Sequence, residues 1–133
     1  MREILFRGKR IDNGKWIEGW LVSGEYYLNN NAMTVIFPKE PMFYPHYEVN
    51  YYEPAIPETV GQWTGLVDVN GTKIFEGDII KLDNSLDTKQ KNFEVKFAYG
   101  QFYIGINKPI AYVRNSCEII GNIHDNPELL EEK

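Results

Sequence analysis

The sequence predicts an all-β, mainly antiparallel protein, and three observations lead there. Alternation of apolar and polar residues with period two recurs along the chain, while helical periodicity is nearly absent. Aromatic residues reach 14%, with seven Phe, nine Tyr and three Trp, and such side chains suit a pleated surface. Turn signals, chiefly Gly beside Asn or Asp, cut the chain into short segments. The 133 residues fill one domain or two small subdomains. A chain of that length buries about two-thirds of its unfolded surface, so it needs neither disulfide nor metal to fold.

Taken in order, Ile4 and Phe6 fall on one face of a first strand, with Leu5, Arg7 and Lys9 on the other. Asp12-Asn13-Gly14 supplies a turn. Trp16, Glu18, Trp20 and Val22 then share a face opposed by Ile17 and Leu21, so residues 4–22 read as a hairpin whose two indoles pack as neighbours. Ser23-Gly24-Glu25 predicts a turn into Tyr26-Tyr27-Leu28. Asn29-Asn30-Asn31 predicts another, before a strand over residues 32–37. Five of the seven prolines lie within residues 38–57, interleaved with Phe43, Tyr44, His46, Tyr47, Tyr51 and Tyr52. Proline removes ladder donors and argues against a central strand, while the aromatics argue against disorder. The expectation is a packed loop or an arm reaching a neighbouring subunit, with the subdomain boundary at its end. That gives an N-terminal β subdomain over residues 1–57 and a C-terminal one over 58–133.

In the second half, residues 60–66 read as a strand, Asp68-Val69-Asn70-Gly71 as its turn and residues 73–75 as the return. Gly77-Asp78 breaks the chain before a strand at 79–82, and residues 83–91 form a polar loop. Phe93, Val95 and Phe97 alternate with Glu94 and Lys96, as a half-buried strand would. Tyr99-Gly100 turns the chain into Phe102, Ile104 and Ile106. Cys117, Ile119 and Ile123 line one face of a last strand, with Glu118 and Asn122 on the other. Five short strands at this spacing predict a small SH3-like barrel. Asn126-Pro127-Glu128 offers an N-cap, a proline at the first helical position and an acid in the first turn. One short C-terminal helix, seated by Leu129 and Leu130, is expected.

Residues 1–9 (MREILFRGK), 60–80 (VGQWTGLVDVNGTKIFEGDII) and 118–130 (EIIGNIHDNPELL) together resemble the YopX family of small proteins encoded by phages and prophages. These blocks cover about a third of the chain and reach both ends. Trp63 departs mildly, standing where a smaller aromatic is expected. The resemblance implies a mostly β fold in two parts and a tendency to associate. It implies no reaction, catalytic residue or cofactor. The residues themselves give the central block a folding role: Gly65, Gly71 and Gly77 mark tight turns or close approaches, and Asp68 and Asp78 can bond nearby amides.

The formal charge is −5, from 19 acidic and 14 basic residues, which lowers the expectation of non-specific duplex binding. The longest apolar run is four residues, 110–113, too short to cross a bilayer. Early charges at Arg2 and Glu3 are unlike a secretory leader, and the single Cys117 excludes an internal disulfide, so a cytosolic protein is expected. Gly71-Thr72-Lys73 lacks the rest of a phosphate loop. His46, His124 and Cys117 lie too far apart in sequence to suggest a metal site, and His124-Asp125 reads as a surface turn. Cys117, in phase with Ile119, reads as buried and inert rather than nucleophilic. No catalytic residue, metal or cofactor is therefore expected. Binding is better supported, by an interface built from Phe43, Tyr44, His46, Tyr47, Tyr51, Tyr52 and Trp63. The expected partners are a second copy of the chain and a host or phage protein. The alternative is a nucleic-acid interface at Arg7, Lys9, Arg10 and Trp16, the main basic cluster.

Overall fold

Alternating residues near the start pair as the sequence leads one to expect. A computed structural model describes residues 3–28, 31–38, 53–82, 92–105, 108–113 and 116–130. It is mainly antiparallel β-sheet and divides into two compact units, residues 1–62 and 63–133.

In the first unit β1 (Phe6–Lys9), β2 (Trp16–Leu28), β3 (Asn31–Pro38) and β4 (Glu53–Pro54) lie in the order β4-β3-β2-β1. The first residues of β5 (Gly61–Val67) join the free side of β1, with Phe6 opposite Gln62. Lys9 stands opposite Trp16, and the connecting turn is closed by Gly14 N–H donating to Arg10 O and by Lys15 N–H donating to Asn13 Oδ1, both at 2.9 Å. Pro54 pairs with Val35 on a short edge strand, where a missing N–H does little harm. Leu5, Ile36 and Ala55 are buried. Gly8 is the point of closest approach: a Cβ there would lie 2.9 Å from Ile36 Cδ1 and 3.2 Å from Ala55 Cβ. A 3₁₀ turn at Pro57–Thr59 fastens the end of this unit, because Thr59 Oγ1 accepts the Lys9 N–H at 2.9 Å and donates to Ile56 O at 2.6 Å.

One expectation for this half changes. The chain does not turn at Ser23-Gly24-Glu25; β2 runs through it, and the register shifts between Gly24 and Leu28. The glycine that favours a turn in isolation here sits at the start of a bulge, held extended by pairing with β3 on its other side. Trp20 is half exposed, and Trp16 packs against cations of β1. Residues 29, 30 and 39–52 lie outside the described residues, and with them Phe43, Tyr44, His46, Tyr47, Tyr51 and Tyr52.

The second unit holds the rest of β5, then β6 (Lys73–Phe75), β7 (Asp78–Leu82), β8 (Asn92–Glu94), β9 (Lys96–Ala98), β10 (Gln101–Ile104), β11 (Lys108–Pro109) and β12 (Cys117–Asn122). The ladders make a β5–β6 hairpin and two three-stranded sheets, β12-β7-β8 and β11-β10-β9. Ile74, Ile80, Val95, Ile104, Ile110, Val113 and Cys117 form the core, with Leu66, Leu82, Phe93, Phe102 and Ile119 packed on it.

The strand expected over Phe93, Val95 and Phe97 is broken at Val95. Its N–H donates to Asp78 O and its C=O accepts the Gly77 N–H, both at 2.8 Å, so β8 stays with β7 while β9 leaves for β10. Phe97 ends half exposed as a result. Among the described residues these ladders form two open sheets rather than a closed ring, which qualifies the expected SH3-like barrel. Gly77 can make its part of this junction because its φ is +91°, a conformation costly for any residue with a Cβ. Residues 83–91 and 106–107 lie outside the described residues.

The expected C-terminal helix is a single 3₁₀ turn, Pro127–Leu130. Asn126 Oδ1 accepts the Asn122 N–H at 3.3 Å, so it closes the turn behind it and does not cap a helix ahead. One turn costs as much chain ordering as a helix nucleus without the propagation that would offset it.

Candidate functional site

Strand β1 places Arg7 and Lys9 on the face that carries Trp16 of β2, because directly opposed residues of an antiparallel pair point the same way. The Arg7 guanidinium carbon lies 4.7 Å and the Lys9 ammonium 5.4 Å from the Trp16 ring centroid. Both are within cation–π range. Arg10, next along the chain, forms a two-pronged ion pair with Asp12, at 2.9 Å from Nε and 2.6 Å from Nη2. That hydrogen bond holds the Asp12 carboxyl below the usual carboxylate range. Three of the four residues expected at a nucleic-acid interface therefore converge, but on one another: the indole on which a base would stack already carries cations of its own chain. The Arg10–Asp12 contact, two residues apart in a turn, could have been anticipated from spacing.

Trp63, the one residue of the expected protein interface that is described, is half-buried on β5. Its Nε1 donates to Leu66 O at 2.8 Å, and Lys73 Nζ lies 5.8 Å from its ring centroid. It clamps the β5–β6 hairpin.

The groups most capable of chemistry in the second unit are occupied with the backbone. Asp68 is buried; its Oδ1 accepts the N–H groups of Asn70 (2.9 Å) and Thr72 (3.0 Å), and its Oδ2 that of Ile119 (3.0 Å). Burial alone would push this carboxyl up, yet the amides of Ile119, Thr72 and Asn70 outweigh it and hold the group below its ordinary value. Asp78, also buried, accepts the Phe75 N–H at 2.7 Å. Cys117 is buried, and desolvation first, then the charge of Asp68, pushes its thiol up, away from a nucleophilic thiolate. His124 lies in the turn after β12, beside Gly77. Among the described residues no three His, Cys, Asp or Glu side chains gather as metal ligands. None of the helices there is long and apolar enough to cross a membrane.

The large apolar side chains left outward among the described residues are Ile4, Ile11 and Trp20 on the first unit, and Val67, Val69, Phe97, Tyr99 and Tyr112 on the second. Sequence reading missed Tyr99 altogether, treating it as half of an ordinary turn.

The YopX protein model matches residues 5–131, nearly the whole chain. The chain belongs to the YopX family. Among curated proteins none matches it. Among solved structures it is similar to the crystal structure of protein EF1440 from Enterococcus faecalis. The two share 25% identity and a TM-score of 0.59, over 98% of this chain and 100% of that one. The match across this YopX chain includes the turns built on Asp68 and Asp78, whose carboxylates are spent on shaping strands.

Proposed function

We propose that this protein is a non-enzymatic accessory protein of a phage or prophage, working in the host cytosol, which assembles with itself and acts by binding a host or phage protein. The observation that carries this reading is the exposure of Ile4, Ile11 and Trp20 on the first unit, with Ile11 at 61% and Trp20 at 50%. Covering apolar surface contributes about 25 cal/mol per Å², and aromatic side chains are enriched where interfaces are driest. Trp20 thus has the most to gain from a partner. The engagement of Asp68, Asp78 and Cys117 with the fold adds support, because each would have to leave its present environment to act on a substrate. Residues 43–52, rich in aromatics, are assigned to the same interface on sequence grounds.

Light scattering on the full chain, on Trp20→Ser and on a deletion of residues 43–52 tests the proposal. The full chain is expected to exceed a monomer's 15.5 kDa, and each variant to fall toward it. A monomeric wild type, or an unchanged mass in both variants, overturns self-association.

A further inference from the structure

The chain has two Asn-Gly pairs, Asn13-Gly14 and Asn70-Gly71, and each lies in an exposed turn. Such a pair carries its own electrophile and nucleophile. The side-chain carbon Cγ of the asparagine and the backbone nitrogen of the next residue can close a five-membered ring, and glycine puts no Cβ in the way. A Cβ built on either glycine meets nothing within 4 Å, so both turns have room for that ring. Asparagine counts among the thermolabile residues.

The two turns differ in what holds the asparagine side chain. Asn13 Oδ1 accepts the Lys15 N–H at 2.9 Å, which ties its carboxamide down. Among the described residues the Asn70 carboxamide has no hydrogen-bond partner; only the Asn70 backbone N–H is held, by Asp68 Oδ1. Both glycine nitrogens donate to a carbonyl, Gly14 to Arg10 at 2.9 Å and Gly71 to Asp68 at 3.0 Å, so that restraint is common to the two. Asn70 is therefore the freer to swing onto its neighbour's nitrogen.

The consequences differ as well. Asp68 straddles the Asn70-Gly71 bond: its Oδ1 accepts the Asn70 and Thr72 N–H groups on either side, and its Oδ2 holds Ile119 of β12. We propose that Asn70-Gly71 is a self-modifying site whose conversion loosens β12 from the Asp68 turn. Gly71 N loses its proton to hydroxide and bonds to Asn70 Cγ; the Cγ–Nδ2 bond breaks, and the nitrogen leaves as ammonia with a proton from water. Water then opens the succinimide at either carbonyl, giving aspartate or isoaspartate. Isoaspartate routes the main chain through the former side chain, which lengthens the path between residues 70 and 71 by one carbon–carbon bond, about 1.5 Å. That is enough to part the Thr72 N–H from an oxygen 3.0 Å away. Either product also sets a second carboxylate near buried Asp68, an unfavourable like-charge arrangement.

The full-length protein, aged in mildly alkaline buffer and mapped by peptide mass spectrometry with enzymatic methylation of isoaspartate, tests this. Asn70 should convert about 2- to 12-fold faster than Asn13, the value of one side-chain hydrogen bond. In denaturant the two sites should convert alike. The converted fraction should exchange the Thr72 and Ile119 amides faster than fresh protein does. Asn70→Ser suits the same position, where φ is not positive, and should keep those amides protected over the same period. An Asn70 that stays intact while the denatured control converts overturns the proposal, as does conversion no faster than at Asn13. A preference for Asn70 that persists in denaturant assigns the effect to local sequence instead of the fold, and also overturns it. So does unchanged exchange at Thr72 and Ile119 in converted protein.

Discussion

The two units reach the same secondary structure by different means. The first is held by long ladders: a thirteen-residue β2 pairs with β1 on one side and β3 on the other, and Gly8 lets the strands close on Ile36 and Ala55. The second is made of strands of two to six residues. Carboxylates and glycines at the corners hold these short pieces, around a continuous apolar core. A short strand cannot fix its own register by pairing alone, so side-chain acceptors fix it instead. Among the described residues the buried acids, Asp68 and Asp78, lie in the second unit, whereas Glu3, Asp12 and Glu18 of the first are exposed.

The largest expected effect tests that explanation in the second unit. Asp68→Ala orphans three N–H groups, including that of Ile119, which lies 51 residues away in sequence. A loss on the order of 3 kcal/mol is expected in chemical denaturation. Hydrogen exchange should show the Asn70, Thr72 and Ile119 amides opening first. A loss under about 0.5 kcal/mol, the size of an ordinary surface change, would break the distinction between the units.

In the first unit the matching test is Gly8→Ala, which sets a methyl 2.9 Å from Ile36 Cδ1. The expected cost is about 2 kcal/mol from overpacking. Combining it with Ile36→Val, which withdraws the Cδ1 atom, should recover part of it; a double variant no better than the sum of the two losses argues against the close approach.

Acid sharpens the same comparison. The Asp68 carboxyl is held below its ordinary value, so its contribution is complete above the unfolded pKa of about 4. That contribution is lost as pH falls from there through the folded pKa. Between pH 5 and pH 2.5, wild type should therefore lose more stability than Asp68→Asn, which starts lower because its amide donors face N–H groups. Equal acid slopes for the two proteins would mean that other carboxylates carry the acid response.

The smallest effect runs the other way. Tyr99→Asn relieves the positive φ of a bulky residue and should raise stability by roughly 1 kcal/mol. A measurable fall in melting temperature would show that the tyrosine makes a stabilising contact after all.

Much of this fold was legible along the chain because its causes are local. Alternation placed β1 and β10, turn and break signals placed β6 and β7, and Asp12-Asn13-Gly14 and Asp68-Val69-Asn70-Gly71 placed their turns. These depend on two-residue periodicity and on side chains that reach their own backbone, and both are written in adjacent residues. The candidate site was legible in part: Arg7, Lys9 and Trp16 could be nominated, but not that they would cover one another.

By itself, then, the sequence determined the class of structure, the family and most of the corners of this protein. Only the tertiary structure decided that the alternating Phe93–Phe97 segment breaks at Val95, that β2 continues through a turn signal, and that one carboxylate bridges Thr72 and Ile119. Each of those outcomes depends on a partner far along the chain, where core burial and the need to satisfy every buried N–H and C=O outweigh local preference.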